Sequence, residues 1–379
     1  MEEGMMLYLH IPFCVQKCQY CDFLSFSASA ELRQQYVEAL CREIEAWKEQ
    51  ETEMVTSVFW GGGTPSLLEP FQLECLLDKL YECFHIKTQA EHTIEVNPGT
   101  VTMEKALKWK QKGINRVSMG VQAMDDALLQ RLGRIHNRKQ VIESWQILRE
   151  AGFDNLSFDL MMGLPGQTLQ QWEQTLKAAL AMQPRHLSCY SLIIEEGTPF
   201  YEQQDALNLP EEDCERAMYE STQRLLSEAG MHQYEISNFS LPGYESRHNT
   251  GYWRRKPYIG LGLGASSLLK EQIRCKNTND MHVYLARSCD LDGIREEKNV
   301  LSRQEQMEEF MFLGLRCTQG VRRDTFERCF GCTMESVYQE ALDRHLGLGL
   351  LEEENGWIRL TARGLDVANQ VFADFLLSV

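Results

Sequence analysis

Short runs of apolar, β-branched and aromatic residues recur along the first half of the chain, separated by longer stretches with apolar residues three and four apart. That alternation is the pattern of βα units and a parallel sheet. Strands are expected at 5–11, 57–60, 92–97, 116–122, 156–162 and 186–193, and amphipathic helices at 31–50, 71–84, 102–112, 138–151, 169–182 and 211–229. Gly113, Gly152 and Gly230 stand where three of those helices would end, as helix C-termini commonly do. Six repeats fit a barrel or partial barrel better than a small open sheet. After Arg295 the alternation stops: a helical run at 302–316 leads to a short tail in which 355–361 reads as a hairpin strand. The pattern therefore predicts an α/β chain with a partial (β/α)6, TIM-like barrel over residues 1–240, a barrel-closing segment over 241–295 and a smaller helical, winged-helix-like C-terminal domain over 296–379.

Composition narrows the choice of partners. The formal charge is −17, from 55 acidic against 38 basic residues, and no lysine- and arginine-rich stripe offsets it. Such a chain repels phosphate backbones and anionic lipid, so nucleic acid is not an expected partner. No apolar run approaches the roughly 20 residues that span a bilayer, and the chain opens with Glu2 and Glu3 rather than a basic segment. A cytoplasmic protein with no membrane anchor of its own is expected. Its thirteen cysteines are scattered and odd in number, which argues for thiols or metal ligands rather than a disulfide framework. Cys329 and Cys332, in CFGC, need no function.

The polar residues worth noticing fall at the C-terminal ends of the expected strands: Cys14 after the first, GGGTP after the second, Glu95 in the third, Gln122 after the fourth and Asp159 in the fifth. In parallel barrels that rim is where sites are built. HIPFCVQKCQYCDF holds Cys14, Cys18 and Cys21. A structural zinc site takes four protein ligands, and no second pair lies nearby. A [4Fe–4S] cluster takes one ligand per iron, so three cysteines leave one iron open to a small molecule. WGGGTPS is a glycine-rich turn whose missing Cβ atoms let backbone approach a ligand, and it has no phosphate-loop lysine. Glu95, Gln122, Arg134 and Asp159 together offer the donors and acceptors that suit a ribose, an ammonium and a carboxylate.

Taken in order, YLHIPFC, the Cys-x3-Cys-x2-Cys triplet, WGGGTPS, EVNP, SMGVQ, RLGR, DLMMGLPGQT and HNTGYW resemble the radical S-adenosylmethionine superfamily. Within it, the resemblance is to the branch of coproporphyrinogen dehydrogenases and heme chaperones, and it covers about 270 residues. It implies the radical SAM type of partial barrel with a helical C-terminal extension. It also implies that Cys14, Cys18 and Cys21 ligate three irons of a [4Fe–4S] cluster, with the amino and carboxylate groups of S-adenosylmethionine on the fourth. Tyr8 would lie against S-adenosylmethionine, and Gly62, Gly63 and Thr64 would meet its methionine portion. Glu95 and Gln122 would bond the ribose and its surroundings, Arg134 the carboxylate, and Asp159 would complete the pocket. His10 reads as a hydrogen-bonding neighbour of the site rather than a ligand.

Two activities fit the branch: an oxygen-independent coproporphyrinogen III dehydrogenase, or a heme chaperone that delivers heme to respiratory proteins. The dehydrogenases carry a further cysteine where this chain has Phe23. Only 13 residues precede Cys14, so the segment that a dehydrogenase places over its substrate is not expected. SRHNTGYW resembles an element of heme chaperones. All three favour the chaperone, with His248 as the axial heme ligand and an electron donor as a further partner.

Overall fold

The computed structural model describes residues 4–50 and 52–377. Six parallel strands, β1 (Met5–Ile11), β2 (Val55–Gly62), β3 (Ile86–Val96), β4 (Arg116–Gln122), β5 (Asn155–Met162) and β6 (His186–Ser191), lie side by side in chain order. Helices Ala30–Ala46, Pro70–Cys83, Met103–Gln111, Arg138–Glu150, Leu169–Ala181 and Glu212–Glu228 follow them in turn. Their starts are written locally. Ser29, Thr102, Asn137 and Thr168 each accept a hydrogen bond from a first-turn backbone N–H, and Gln140 and Gln171 return the bond in two reciprocal caps. Gly113, Gly152 and Gly230 have φ of 94°, 87° and 80°, the left-handed turn that ends a helix.

Each strand divides its residues between two faces. Leu7 and Leu9, Val58 and Trp60, Val117 and Met119, and Phe158 and Leu160 are buried in one large apolar core with Leu40, Leu76, Trp109, Trp145 and Trp172 of the helices. The alternate positions are Phe59, Glu95, Arg116, Ser118, Asp159, Ser188 and Tyr190, and they line a cavity. The inner face is therefore polar.

The sheet continues on both flanks. β7 (His232–Glu235) and β8 (Asn238–Ser240) pair antiparallel beyond β6. β9 (Tyr258–Leu261) runs parallel to β1, followed outward by β10 (Ser266–Leu269), β11 (Ile273–Asn277) and β12 (Arg295–Val300). The twelve strands form one sheet from β12 to β7, in which β9 to β12 extend the sheet past β1. The fold is a partial barrel of the radical SAM type.

A second apolar core gathers Met311, Phe326, Tyr338, Ile358, Val371 and Phe375 around helices Arg303–Gly314, Arg323–Phe330 and Glu335–Gly347 and a three-stranded sheet. That sheet is β13 (Val321–Arg322), β14 (Leu351–Glu354) and β15 (Trp357–Leu360), and β14–β15 is the expected hairpin. Glu309 joins this part to the barrel: it accepts from Arg255 Nε and Arg274 Nε, both at 2.8 Å. No helix among the described residues is long and apolar enough to cross a membrane. All thirteen cysteines are free thiols.

Candidate functional site

The loop that leaves β1 carries Cys14, Cys18 and Cys21 to the C-terminal end of the barrel, where all three line a cavity of about 510 Å³. Backbone bonds tie the loop to its surroundings: Cys14 N–H donates to Phe26 O, Gln19 N–H to Leu132 O and Gly63 N–H to Ile11 O. Two polar groups face the sulfurs. Thr64 Oγ1 lies 3.5 Å from Cys14 Sγ, and Arg134 Nη1 donates to Cys18 Sγ at 3.5 Å. Among the described residues no three His, Cys, Asp or Glu side chains converge closely enough to hold a single metal ion. A four-iron cluster asks for something else, one thiolate at each of three corners, and three free cysteines on one cavity wall fit it.

Beside the cysteine loop, Gly62 and Gly63 make room. A Cβ on Gly63 would lie 2.7 Å from Phe13 O and 2.9 Å from Ile11 O, and Gly62, at φ 106°, is pressed against the His10 ring. Only glycine lets these strand ends meet. Arg134 then knits the rim together: Nη2 donates to Asn97 Oδ1 at 2.7 Å and to Gly120 O at 2.6 Å, and Asn97 Nδ2 donates to Thr64 Oγ1 at 2.8 Å. One guanidinium thus spans the ends of β3 and β4 and the cysteine loop. Gln122 reaches the cavity from a strained backbone, φ 66°.

Glu95 and Asp159 line the same cavity and feel each other's charge. Burial first, and the charge of Asp159 second, push the Glu95 carboxyl up to about 8, so it is a hydrogen-bond donor at neutral pH. Burial also raises Asp159, against hydrogen bonds from Ser188 and Ser118; Ser118 Oγ lies 3.0 Å from Asp159 Oδ1. A neutral acid beside an ionisable one suits hydroxyls and an ammonium together.

Of the residues singled out in the sequence, Cys14, Cys18, Cys21, Gly62, Gly63, Thr64, Glu95, Gln122, Arg134 and Asp159 all line this one cavity. Tyr8 and His248 do not. Tyr8 stands behind the wall, its hydroxyl 3.0 Å from His10 Nδ1 and its ring stacked on Phe59. His10 Nε2–H donates to Leu24 O at 2.8 Å, which makes it the hydrogen-bonding neighbour expected. His248, on helix Arg247–Trp253, is 1% exposed, with Ser57 Oγ 2.9 Å from Nδ1 and the Tyr252 hydroxyl 3.0 Å from Nε2. Burial, and then Arg116, lower its pKa to about 3, so the ring is neutral. Sequence reasoning missed Asn97, although EVNP contains it, and His136, two residues past Arg134 on the same cavity wall.

A three-cysteine loop and a glycine-rich turn at the C-terminal rim of a six-stranded partial barrel are the features of a radical S-adenosylmethionine protein. Residues 8–179 match the Radical SAM superfamily model and residues 301–367 the HemN C-terminal domain. That superfamily works with a [4Fe–4S] cluster and S-adenosylmethionine. The chain is 40% identical to the heme chaperone HemW of Lactococcus lactis, over 98% of this chain and 97% of that one. It is 37% identical to HemW of Bacillus subtilis, over 97% and 98%, and 33% identical to HemW of Escherichia coli, over 98% of each. The chain belongs to the heme chaperone HemW family. Coproporphyrinogen III oxidase (HemN) from Escherichia coli superposes with a TM-score of 0.86 at 24% identity, over 100% of this chain and 91% of that one, which shows the shared fold.

Proposed function

We propose that this protein is a heme chaperone: it binds heme, carries a [4Fe–4S] cluster with S-adenosylmethionine, and passes heme to respiratory acceptor proteins from the cytoplasm, with a separate electron donor serving the cluster. The observation that carries this reading is the end-to-end similarity to chaperones of that name, together with Phe23 where a dehydrogenase has a further cysteine.

The chain's own residues divide the work. Cys14, Cys18 and Cys21 would hold three irons of the cluster and leave the fourth for S-adenosylmethionine. Gly62, Gly63 and Thr64 offer backbone groups to the methionine portion of S-adenosylmethionine, while Glu95 and Gln122 take the ribose and its surroundings. Arg134, held in place by Asn97 and Gly120 and donating to Cys18, would present positive charge to the carboxylate. Asp159 completes the wall, and Tyr8 supports it from behind through His10. When bound, the cluster supplies a low-potential electron for cleavage of the sulfonium. For His248 to serve as the heme ligand, its ring would have to give up either the bond to Ser57 or the one to Tyr252 on its own helix.

Two measurements test this reading. Anaerobically reconstituted protein titrated with heme is expected to bind it, and Cys18→Ala is expected to lose the four-iron signal; retention of that signal would remove the triplet from the site. Coproporphyrinogen III supplied with S-adenosylmethionine and reductant is expected to yield no decarboxylated product, and turnover would establish the dehydrogenase instead.

A further inference from the structure

Two of the thirteen cysteines meet outside the cavity. Cys41, on helix Ala30–Ala46, and Cys75, on helix Pro70–Cys83, bring their Sγ atoms to 3.6 Å across a sequence separation of 34. Neither lines the cavity, so neither belongs to the cluster site. The contact is built into the packing of the two helices. On one side of it Gln72 Nε2 donates to Gln34 Oε1 at 3.0 Å. On the other, Lys79 Nζ lies 3.7 Å from Glu45 Oε1, and Lys48 Nζ, just past the first helix, donates to Glu82 Oε1 at 2.9 Å. Cys41–Cys75 and Lys48–Glu82 share the same separation of 34, so a fixed register sets sulfur opposite sulfur.

The two thiols are not equivalent. Cys75 is exposed, whereas Cys41 is half-buried. Burial, and then the neighbouring Cys75, hold the Cys41 thiol above its ordinary range, so it keeps its proton at neutral pH. An oxidant arriving from solvent therefore meets Cys75 first, and Cys41 stands in contact with whatever forms there. A disulfide bond spans about 2.05 Å, which leaves the sulfurs about 1.5 Å to close. That distance is on the scale of a side-chain torsion rather than a backbone rearrangement. Helix Ala30–Ala46 also carries Tyr36, whose hydroxyl donates to His10 O at 2.6 Å, and Glu43, which accepts from Gly262 N–H at 2.8 Å. A link at Cys41 thus braces the helix that supports the strand feeding the cysteine loop.

We infer that Cys41 and Cys75 form a reversible disulfide when the protein meets a hydroperoxide, a redox site separate from the cluster. In the first step Cys75 Sγ attacks one peroxide oxygen and the O–O bond breaks. Cys75 becomes a sulfenic acid, and the other oxygen leaves as water, or as an alcohol from an organic hydroperoxide. Cys41 Sγ then attacks Cys75 Sγ, the S–O bond breaks, and the departing hydroxide takes the Cys41 proton to leave as water. Two thiols give up two electrons and one hydroperoxide accepts them. A dithiol reductant restores the pair by thiol–disulfide exchange. Closing the bond ties helix to helix and keeps Cys75 from further, irreversible oxidation to the sulfinic acid. The inference stands independently of the heme-chaperone reading.

The test exposes the full chain, reconstituted with its cluster, to rising hydrogen peroxide, blocks the remaining thiols, digests without reductant and reads linked peptides by mass spectrometry. The parent is expected to yield the Cys41–Cys75 peptide at lower peroxide than any linkage that pairs either residue with another cysteine, and dithiothreitol is expected to reverse it. Cys41→Ser is expected to leave Cys75 as a sulfenic acid, trapped by dimedone at least tenfold more than in the parent. Cys75→Ser is expected to leave Cys41 reduced. Absence of the Cys41–Cys75 peptide from the parent would overturn the assignment, whether Cys75 stays reduced, pairs elsewhere or proceeds to the sulfinic acid. Equal trapping at Cys75 in the parent and Cys41→Ser would overturn it too, because Cys41 would then not be the thiol that resolves the sulfenic acid. The linkage in the parent and its reversal need no variant, so a substitution that fails to fold does not shield the assignment.

Discussion

Replacing Glu43 by glutamine is expected to change how the stability of the chain depends on pH. Glu43 projects from helix Ala30–Ala46 into the core, 1% exposed, and accepts from Gly262 N–H at 2.8 Å, Asn277 Nδ2 at 2.8 Å and Tyr284 OH at 2.6 Å. Burial outweighs those bonds and raises its pKa from 4.5 to about 7. Between those values the folded chain keeps a proton that the unfolded chain releases. The stability from this site is complete below pH 4.5, declines as pH rises to 7 and is level above that. At roughly 1.4 kcal/mol per pH unit the full effect is about 3 kcal/mol, of which about 2.5 kcal/mol falls between pH 5 and 8. Glutamine does not titrate. Its amide N–H faces the Asn277 amide and adds a constant penalty of about 1 kcal/mol, which leaves the slope untouched. Urea unfolding of the cluster-free chain at pH 5, 6, 7 and 8 reads the difference, because every other titrating group cancels between parent and variant. The parent is expected to lose about 2.5 kcal/mol relative to Glu43→Gln across that range. Parallel curves would refute the reasoning. The site matters beyond stability because Gly262 packs on His10 O, in the strand that feeds the cysteine loop.

Arg134→Lys keeps a cation but loses the fork that reaches Asn97, Gly120 and Cys18. With charge-assisted bonds at roughly 1.5 to 3 kcal/mol each, it should lose about 2 to 4 kcal/mol in urea unfolding and bind S-adenosylmethionine at least tenfold more weakly by calorimetry; unchanged stability would show that the fork carries no load. Gly63→Ala drives a Cβ against Phe13 O and Ile11 O and breaks the 2.8 Å bond from Gly63 N–H to Ile11 O. Iron per chain after reconstitution should fall below half. Gly152→Ala, where nothing lies within 4 Å of the added carbon, should cost only about 1 kcal/mol of backbone strain and keep its iron.

The first six strands were legible because each is a compact run with β-branched or aromatic residues, and the helices because their apolar residues recur at helical spacing. RVSMGVQ held more than its location. Val117 and Met119 pack outward while Arg116, Ser118 and Gly120 line the cavity, so the polar half of the alternation marks the inner wall. Elements too short for a periodicity to register stayed hidden. Helix Asp126–Arg131, capped by Asp125, has six residues, and β7 to β11 have three to five each. Motif order brought ten site residues to one cavity, but order does not say which way a side chain points. Tyr8 and His248 are held away from the cavity by His10, Ser57 and Tyr252, partners up to 191 residues distant in the chain. His136 was missed for the converse reason, because one histidine beside RLGR has no spacing to betray it.

The strand order also bears on biosynthesis. β1 leads into the cysteine loop, yet one of its two neighbours, β9, begins only at Tyr258, far later in the chain. Until Tyr258–Leu261 have left the ribosome, the strand that feeds the cysteine loop is an edge strand, with half its backbone donors and acceptors unpaired. The sheet under the cysteine loop is therefore completed only after β9 is made, well after Cys14, Cys18 and Cys21, and a nascent chain stalled before Tyr258 would display those cysteines on an unfinished edge.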